Sequence, residues 1–136
     1  DKGRADVGQA LGADLAYIGS AFIATQEANA VAGYKQMISQ STAEDIVYTN
    51  LITGVHGNYL KASLVAAGLD PDDLPSSDPS QMNFGADRHK PKAWKEIWGC
   101  GQGIGVVDGV PSAEDLVARL GREYQQACQG LRTRLL

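Results

Sequence analysis

The chain has 136 residues and a mass of 14.4 kDa, with 43% hydrophobic residues, 21% charged residues and a formal net charge of -4. That length fits one domain, the composition excludes a disordered chain, and the acidic excess argues against nucleic acid or an anionic membrane surface as the main partner. Cys100 and Cys128 form no close pair and read as free thiols of a reducing compartment, the cytoplasm, and no charged-then-apolar leader is visible.

Taken in chain order, residues 4–13 read as a helix with Val7, Ala10 and Leu11 on one face and Gly12 as its stop. Leu15 to Ile18 is a continuous apolar run closed by Gly19-Ser20, the pattern of a strand buried on both faces in a parallel sheet. The surrounding apolar stretch, Leu15 to Thr25, is too short to span a bilayer. Thr25 offers an N-cap, with Glu27 in the first turn, for a helix over 26–39 that carries Val31, Tyr34, Met37 and Ile38 on its apolar side. A polar turn at Ser39 to Thr42 leads to a β-rich segment, Asp45 to Leu51. Thr53 to Asn58 reads as a glycine-marked loop, and a short helix is expected over 59–67, ending at Gly68. Leu69 to Phe84, with its prolines, Asp and Ser, reads as a loop or linker, and 93–98 as a short helix. Gly99 to Gly105 has glycine at every second position and is expected to be irregular. From Ser112, a capping-box-like start at Asp115 and the stripe Leu116, Leu120, Tyr124, Ala127 and Leu131 predict an amphipathic helix to about residue 133.

Several places carry candidate chemistry. A buried parallel strand ending in Gly-Ser would present free amides at its C-terminal edge, and glycine lets such amides approach a phosphate; an ordinary strand-to-loop turn is the alternative. Gly99 to Gly105 is neither G-x-G-x-x-G nor a P-loop, so it is either a loop packed on a flat ligand, using its amides and Gln102, or a solvent loop. His56 and His89, the only histidines, have no second ligand at metal-binding spacing, and no metal site is expected. Arg88-His-Lys-Pro-Lys92 is a local basic cluster, open between an anion site and a solvated linker. Asp70-Pro-Asp-Asp73 fails the EF-hand pattern, with Pro75 where glycine is needed and Gln81 in place of the final Glu. Asp70 with Pro71 reads better as N-cap and first residue of a short helix. Nothing near Cys100 points to an activated thiol.

Four segments together resemble the nitronate monooxygenase family, formerly called 2-nitropropane dioxygenases. They are Ala10–Ala24 (ALGADLAYIGSAFIA), Tyr34–Met37 (YKQM), Asp45–Leu60 (DIVYTNLITGVHGNYL) and Lys92–Gly105 (KAWKEIWGCGQGIG). The order and spacing hold from about residue 8 to the C-terminus, and the likeness is closest to members that act as NADH:quinone reductases. The resemblance implies an α/β fold: the C-terminal part of a (β/α)8 TIM-type barrel with a small inserted α/β domain. Residues 1–20 would be the seventh helix and eighth strand of the barrel, 21–84 the inserted domain, and 85–136 the return to the barrel with its final helix. It implies FMN as cofactor, with phosphate contacts carried over to Tyr17, Ile18, Gly19 and Ser20, and a loop near the flavin ring at Gly101, Gln102 and Gly103. The family's histidine has no counterpart at His56 or His89, so no catalytic residue is assigned to this chain.

The implied activity is that of an oxidoreductase, a flavoprotein that oxidises alkyl nitronates with O2 as a monooxygenase or passes hydride from NADH to a quinone. The expected partners are these small molecules, and either the missing N-terminal part or a second copy of the chain. A barrel needs roughly 200 residues or more, so the chain is expected to be the C-terminal portion of a longer protein and inactive alone. An FMN-dependent enoyl-acyl-carrier-protein reductase and a non-catalytic α/β binding module are the competing readings.

Overall fold

The computed structural model describes residues 12–75 and 96–135. The helix expected over 4–13 therefore lies outside the described residues apart from its last two positions: Gly12, the proposed stop, has a positive φ of 94°, and Ala13 is not helical. In chain order the elements are α1 (Ser20–Ile23), α2 (Ala32–Gln40), a 3-10 turn (Ala43–Asp45), β1 (Ile46–Thr49), β2 (Gly57–Leu60), α3 (Lys61–Ala66), a second 3-10 turn (Gln102–Val106) and α4 (Ala113–Leu135).

The sheet is small and antiparallel. β1 pairs with β2 in the register Ile46 with Leu60, Val47 with Tyr59, Tyr48 with Asn58 and Thr49 with Gly57. Ile-Val-Tyr-Thr is β-branched and aromatic throughout, which suits a half-buried pleated surface. The far edge of β2 takes a third extended stretch. The Leu60 amide donates to the Trp98 carbonyl at 2.9 Å and the Cys100 amide to the Asn58 carbonyl at 3.1 Å, around a bridge between Tyr59 and Gly99. Gly57 and Asn58, read from sequence as loop, are thus strand, and so are Tyr59 and Leu60, read as the start of a helix.

One apolar centre joins these pieces. Ala24, Ile38, Leu60, Ile104 and Val107 are buried together, with Tyr34, Met37, Ile46, Trp98 and Cys100 packed around them. Tyr34, Met37 and Ile38 come from one face of α2, as their helical spacing requires. The core draws on both 21–60 and 98–107, two stretches far apart in sequence.

Gly68, at φ +80°, ends α3 as expected. Its amide bonds the Val65 carbonyl and the Leu69 amide bonds the Leu64 carbonyl, the paired pattern of a Schellman stop. The long last helix also forms as expected. Ser112 Oγ accepts the Asp115 amide at 3.0 Å and donates to the Asp115 carboxylate at 2.7 Å. Leu116 is buried, while Tyr124 and Leu131, further along the same stripe, are exposed.

Five further expectations are corrected. Leu15–Ile18 is not a buried strand: Leu15 is 88% exposed and Tyr17 100% exposed, and no strand lies beside them among the described residues. A two-faced strand needs neighbours at both edges to satisfy its backbone. Thr25 does not cap a helix at 26. Its hydroxyl turns back to the Phe22 carbonyl at 2.8 Å, and helix α2 starts only at Ala32 behind an extended Val31. The intervening residues hold α4 instead: the Gln26 amide bonds the Pro111 carbonyl at 2.9 Å, and the Glu27 carboxylate accepts the Ala113 amide at 2.8 Å. Asp70 closes a turn through its carboxylate and carbonyl, to the Asp72 and Asp73 amides, rather than starting a helix. Gly99–Gly105 is more regular than its glycines suggest, part bridge and part 3-10 turn. Of the helix read over 93–98, residues 93–95 lie outside the described part, Glu96 is helical, and Ile97 and Trp98 are not.

Candidate functional site

Gly19 and Ser20 stand where an exposed stretch without regular structure turns into α1. The Gly19 carbonyl receives the Phe22 amide at 2.9 Å and the Ile23 amide at 3.3 Å, so the first turn is closed behind the Ser20 and Ala21 amides. Amides in that first turn have no acceptor within their own helix. A side chain on Gly19 would enter almost open space, with only Tyr17 Cε1 within 4 Å, at 3.9 Å. The backbone there, at φ -111°, is accessible to any residue, so glycine is not demanded by conformation. A Cβ at Gly19 would fill part of the open space beside the first-turn amides, and the small, uncharged Gly19 and Ser20 are residue types that suit an anion held by main-chain donors.

The second predicted segment meets the first. The Gly101 amide donates to Ser20 Oγ at 2.7 Å, across 81 residues of sequence. Gly101 is extended at φ -84°, ψ 156° and leads into the 3-10 turn that holds Gln102 and Gly103. Gly19, Gly101 and Gln102 are exposed, while Ser20 and Gly103 are half-buried and Ile104, next along, is buried in the core. Tyr17 and Ile18 point their side chains to solvent, at 100% and 41% exposure. Ser20 with Gly101 is thus the pair that the fold brings into contact.

Other side chains hold the loop that carries Gly101. The Tyr34 hydroxyl donates to the Gly99 carbonyl, and its ring stacks on Trp98 with centroids 5.1 Å apart and planes 16° from parallel. Burial pushes the Tyr34 hydroxyl above its ordinary titration range, with nearby Cys100 adding to the shift, so it stays a donor. Ser63 Oγ, fully buried, accepts the Trp98 amide at 3.0 Å and donates to the Leu60 carbonyl at 2.8 Å. Tyr34 was legible as part of the family-like Tyr-Lys-Gln-Met; Ser63 gave no signal, because its partner lies 35 residues away.

Cys100 is half-buried, and burial pushes its thiol up to about 11, which keeps it protonated and unreactive at neutral pH. His56 stacks on Tyr48 at the hairpin, with ring centroids 4.9 Å apart, and His89 lies outside the described residues. Among the described residues no cluster of His, Cys, Asp and Glu is placed to hold a metal ion, and no helix is long and apolar enough to cross a membrane.

No family model matches the chain. It is 31% identical over 129 residues to a nitronate monooxygenase of Paraburkholderia phytofirmans, an alignment that covers 90% of this chain and 35% of that protein. In solved structures it resembles a FabK mutant from Thermotoga maritima, with a TM-score of 0.64 and 18% identity over 96% of this chain and 40% of that one. The unmutated FabK of the same organism gives a TM-score of 0.59 over 93% of this chain and 42% of its own. The chain is similar to nitronate monooxygenase over most of its own length, shares an α/β piece of fold with FabK, and spans about a third of the curated relative.

Proposed function

We propose that this chain supplies the flavin-phosphate cradle and part of the cleft wall of an FMN-dependent oxidoreductase of the nitronate monooxygenase type. The observation that carries the reading is the contact between Ser20 and Gly101, which joins the two segments that the resemblance assigns to the flavin. In this reading the chain is the C-terminal part of a (β/α)8 barrel: residues 1–20 supply helix 7 and strand 8, 21–84 the inserted domain, and 85–136 the return with the final helix. Leu15–Ile18 then finds its neighbours in polypeptide contributed by the remainder of the barrel.

Bound FMN supplies two-electron chemistry, oxidising an alkyl nitronate with O2 or passing the hydride of NADH to a quinone. The residues of this chain bind and orient. The amides of Gly19 and Ser20 donate to the terminal phosphate, where fixed N–H dipoles offset negative charge without reorganising. Ser20 Oγ holds the Gly101 amide. The glycines at 101 and 103 let the loop lie close to a flat ring, beside the amide side chain of Gln102. No acid, base or nucleophile is assigned here, and the compartment proposed is the cytoplasm.

Gly19→Val in the full-length protein is the test. The backbone geometry admits valine, but its side chain would occupy the cradle. The expected result is loss of bound FMN, read as loss of yellow colour and of flavin absorbance, with an unchanged thermal midpoint in flavin-free protein. Normal flavin occupancy in the variant overturns the assignment. Turnover of an enoyl thioester alone would reassign the activity to the enoyl-acyl-carrier-protein reductase type, and a colourless wild type indifferent to FMN would favour a binding module.

A further inference from the structure

We propose that Tyr34 is a positioning residue for the Gly101–Gly103 loop: its hydroxyl, by holding the Gly99 carbonyl, sets where the loop's amides stand. The proposal rests on the reading of that loop as a flavin contact.

The argument comes from the two edges of the stretch 98–101. In an antiparallel pair, alternate residues turn their N–H and C=O toward the partner strand and the others turn away. Here the Trp98 carbonyl and the Cys100 amide face β2 and are bonded to it. Gly99 is the bridge residue between them, so its own carbonyl faces the other way, and the Gly101 amide follows on that outer edge. An edge of this kind is left open unless something covers it. Two hydroxyls do so in place of another strand: Tyr34 takes the Gly99 carbonyl and Ser20 takes the Gly101 amide.

Glycine at 99 makes the carbonyl the handle. With no side chain there, packing cannot hold the residue sideways, and a Cβ would press on the Asn58 carbonyl at 3.3 Å. Tyr34 is itself rigid, fixed to α2 and stacked on Trp98, so a hydrogen bond from it transmits the position of α2 to the loop. The bland alternative is a half-buried phenol satisfied by the nearest carbonyl. That role would cost fold stability when the hydroxyl is removed and leave the loop unaffected.

Tyr34→Phe keeps the ring and the stack and deletes the hydroxyl. In the full-length protein, FMN affinity is measured by quenching of flavin fluorescence, and hydrogen exchange of the Gly101–Gly103 amides is measured without flavin. Losing one hydrogen bond is expected to weaken FMN about fivefold. Exchange should quicken at Gly101–Gly103 and not at Leu60 or Ile38, with little change in the flavin-free thermal midpoint. Wild-type uptake of FMN with equal uptake by the variant overturns this proposal alone. Faster exchange spread evenly over the core, with a matching fall in thermal midpoint, also overturns it, since that is the signature of a structural role. A wild type that takes up no FMN overturns the flavin reading and this proposal with it.

Discussion

Leu15–Ile18 and Ile46–Thr49 are both short apolar runs bounded by turn residues, yet only the second is a strand. Thr49 is 8% exposed, whereas Leu15 is 88% exposed. The difference lies in the partner each needs. Ile46–Thr49 meets an antiparallel neighbour a short connection away, Gly57–Leu60, and that neighbour gains a second companion in 98–100. A parallel strand depends instead on crossover connections of a dozen or more residues to bring its neighbours. Apolar content therefore marks a segment that gains by burial, while the strand itself exists only where another backbone supplies the donors and acceptors.

The sharpest way to break this comparison is to weaken the paired side. Leu60 is fully buried, closes β2 and touches the shared core. Leu60→Ala should cost about 2–5 kcal/mol, the range for a large-to-small change in a packed core. Urea denaturation of the chain followed by far-UV circular dichroism would measure it. A loss below about 1 kcal/mol would mean that the hairpin is not the centre of the fold.

The same contrast separates what the sequence disclosed from what it concealed. The final helix was legible because its signals are local: a Ser112 cap, Asp115 three residues on, and an apolar stripe. Gly68 was legible for the same reason, since a helix stop is written within a few residues. β1 was legible from its side chains, but β2 was not, because Gly57 and Asn58 carry turn-like composition and owe their strand conformation to neighbours on both sides. Thr25 followed by Glu27 has the form of a helix start, but the Thr25 hydroxyl turns back to the Phe22 carbonyl, and Gln26 and Glu27 are taken up by tertiary contacts with Pro111 and Ala113. At the candidate site, Gly19, Ser20 and Gly101–Gly103 were named from the family likeness. Tyr34 and Ser63, which tie the loop to the fold, act through partners distant in sequence that no local pattern contains.

A second measurement sharpens the comparison at the third extended stretch. Because 98–100 has a partner, Cys100 is half-buried and its thiol is raised from 9.0 to about 11. The fold favours the protonated thiol, so this contribution to stability is fully present below about pH 9 and is lost as the pH rises through about 11. Unfolding midpoints should fall across that window, and Cys100→Ala should flatten the fall. At pH 8 the thiolate fraction is about a hundredth of that of an ordinary thiol, so Cys100 should be alkylated by iodoacetamide correspondingly slowly. Rapid alkylation at pH 8 would show that the stretch is not held against β2.

The smallest expected effect lies on the unpaired side and is the most discriminating. Leu15→Asn changes a side chain that meets almost nothing in this chain, and surface changes of that kind lie within about 0.5 kcal/mol. A loss of several kcal/mol in the chain alone would mean that Leu15–Ile18 is buried after all. The same substitution in the full-length protein asks a different question. If the segment becomes a barrel strand there, the asparagine side chain is driven into an apolar layer, where an unsatisfied amide costs about 1–3 kcal/mol beyond the lost burial. Equal, negligible effects in both contexts would show that no neighbours arrive, and the barrel assignment would fall while the antiparallel core stayed intact. A large effect confined to the longer protein would show that this stretch is a strand whose partners lie in the remainder of the polypeptide.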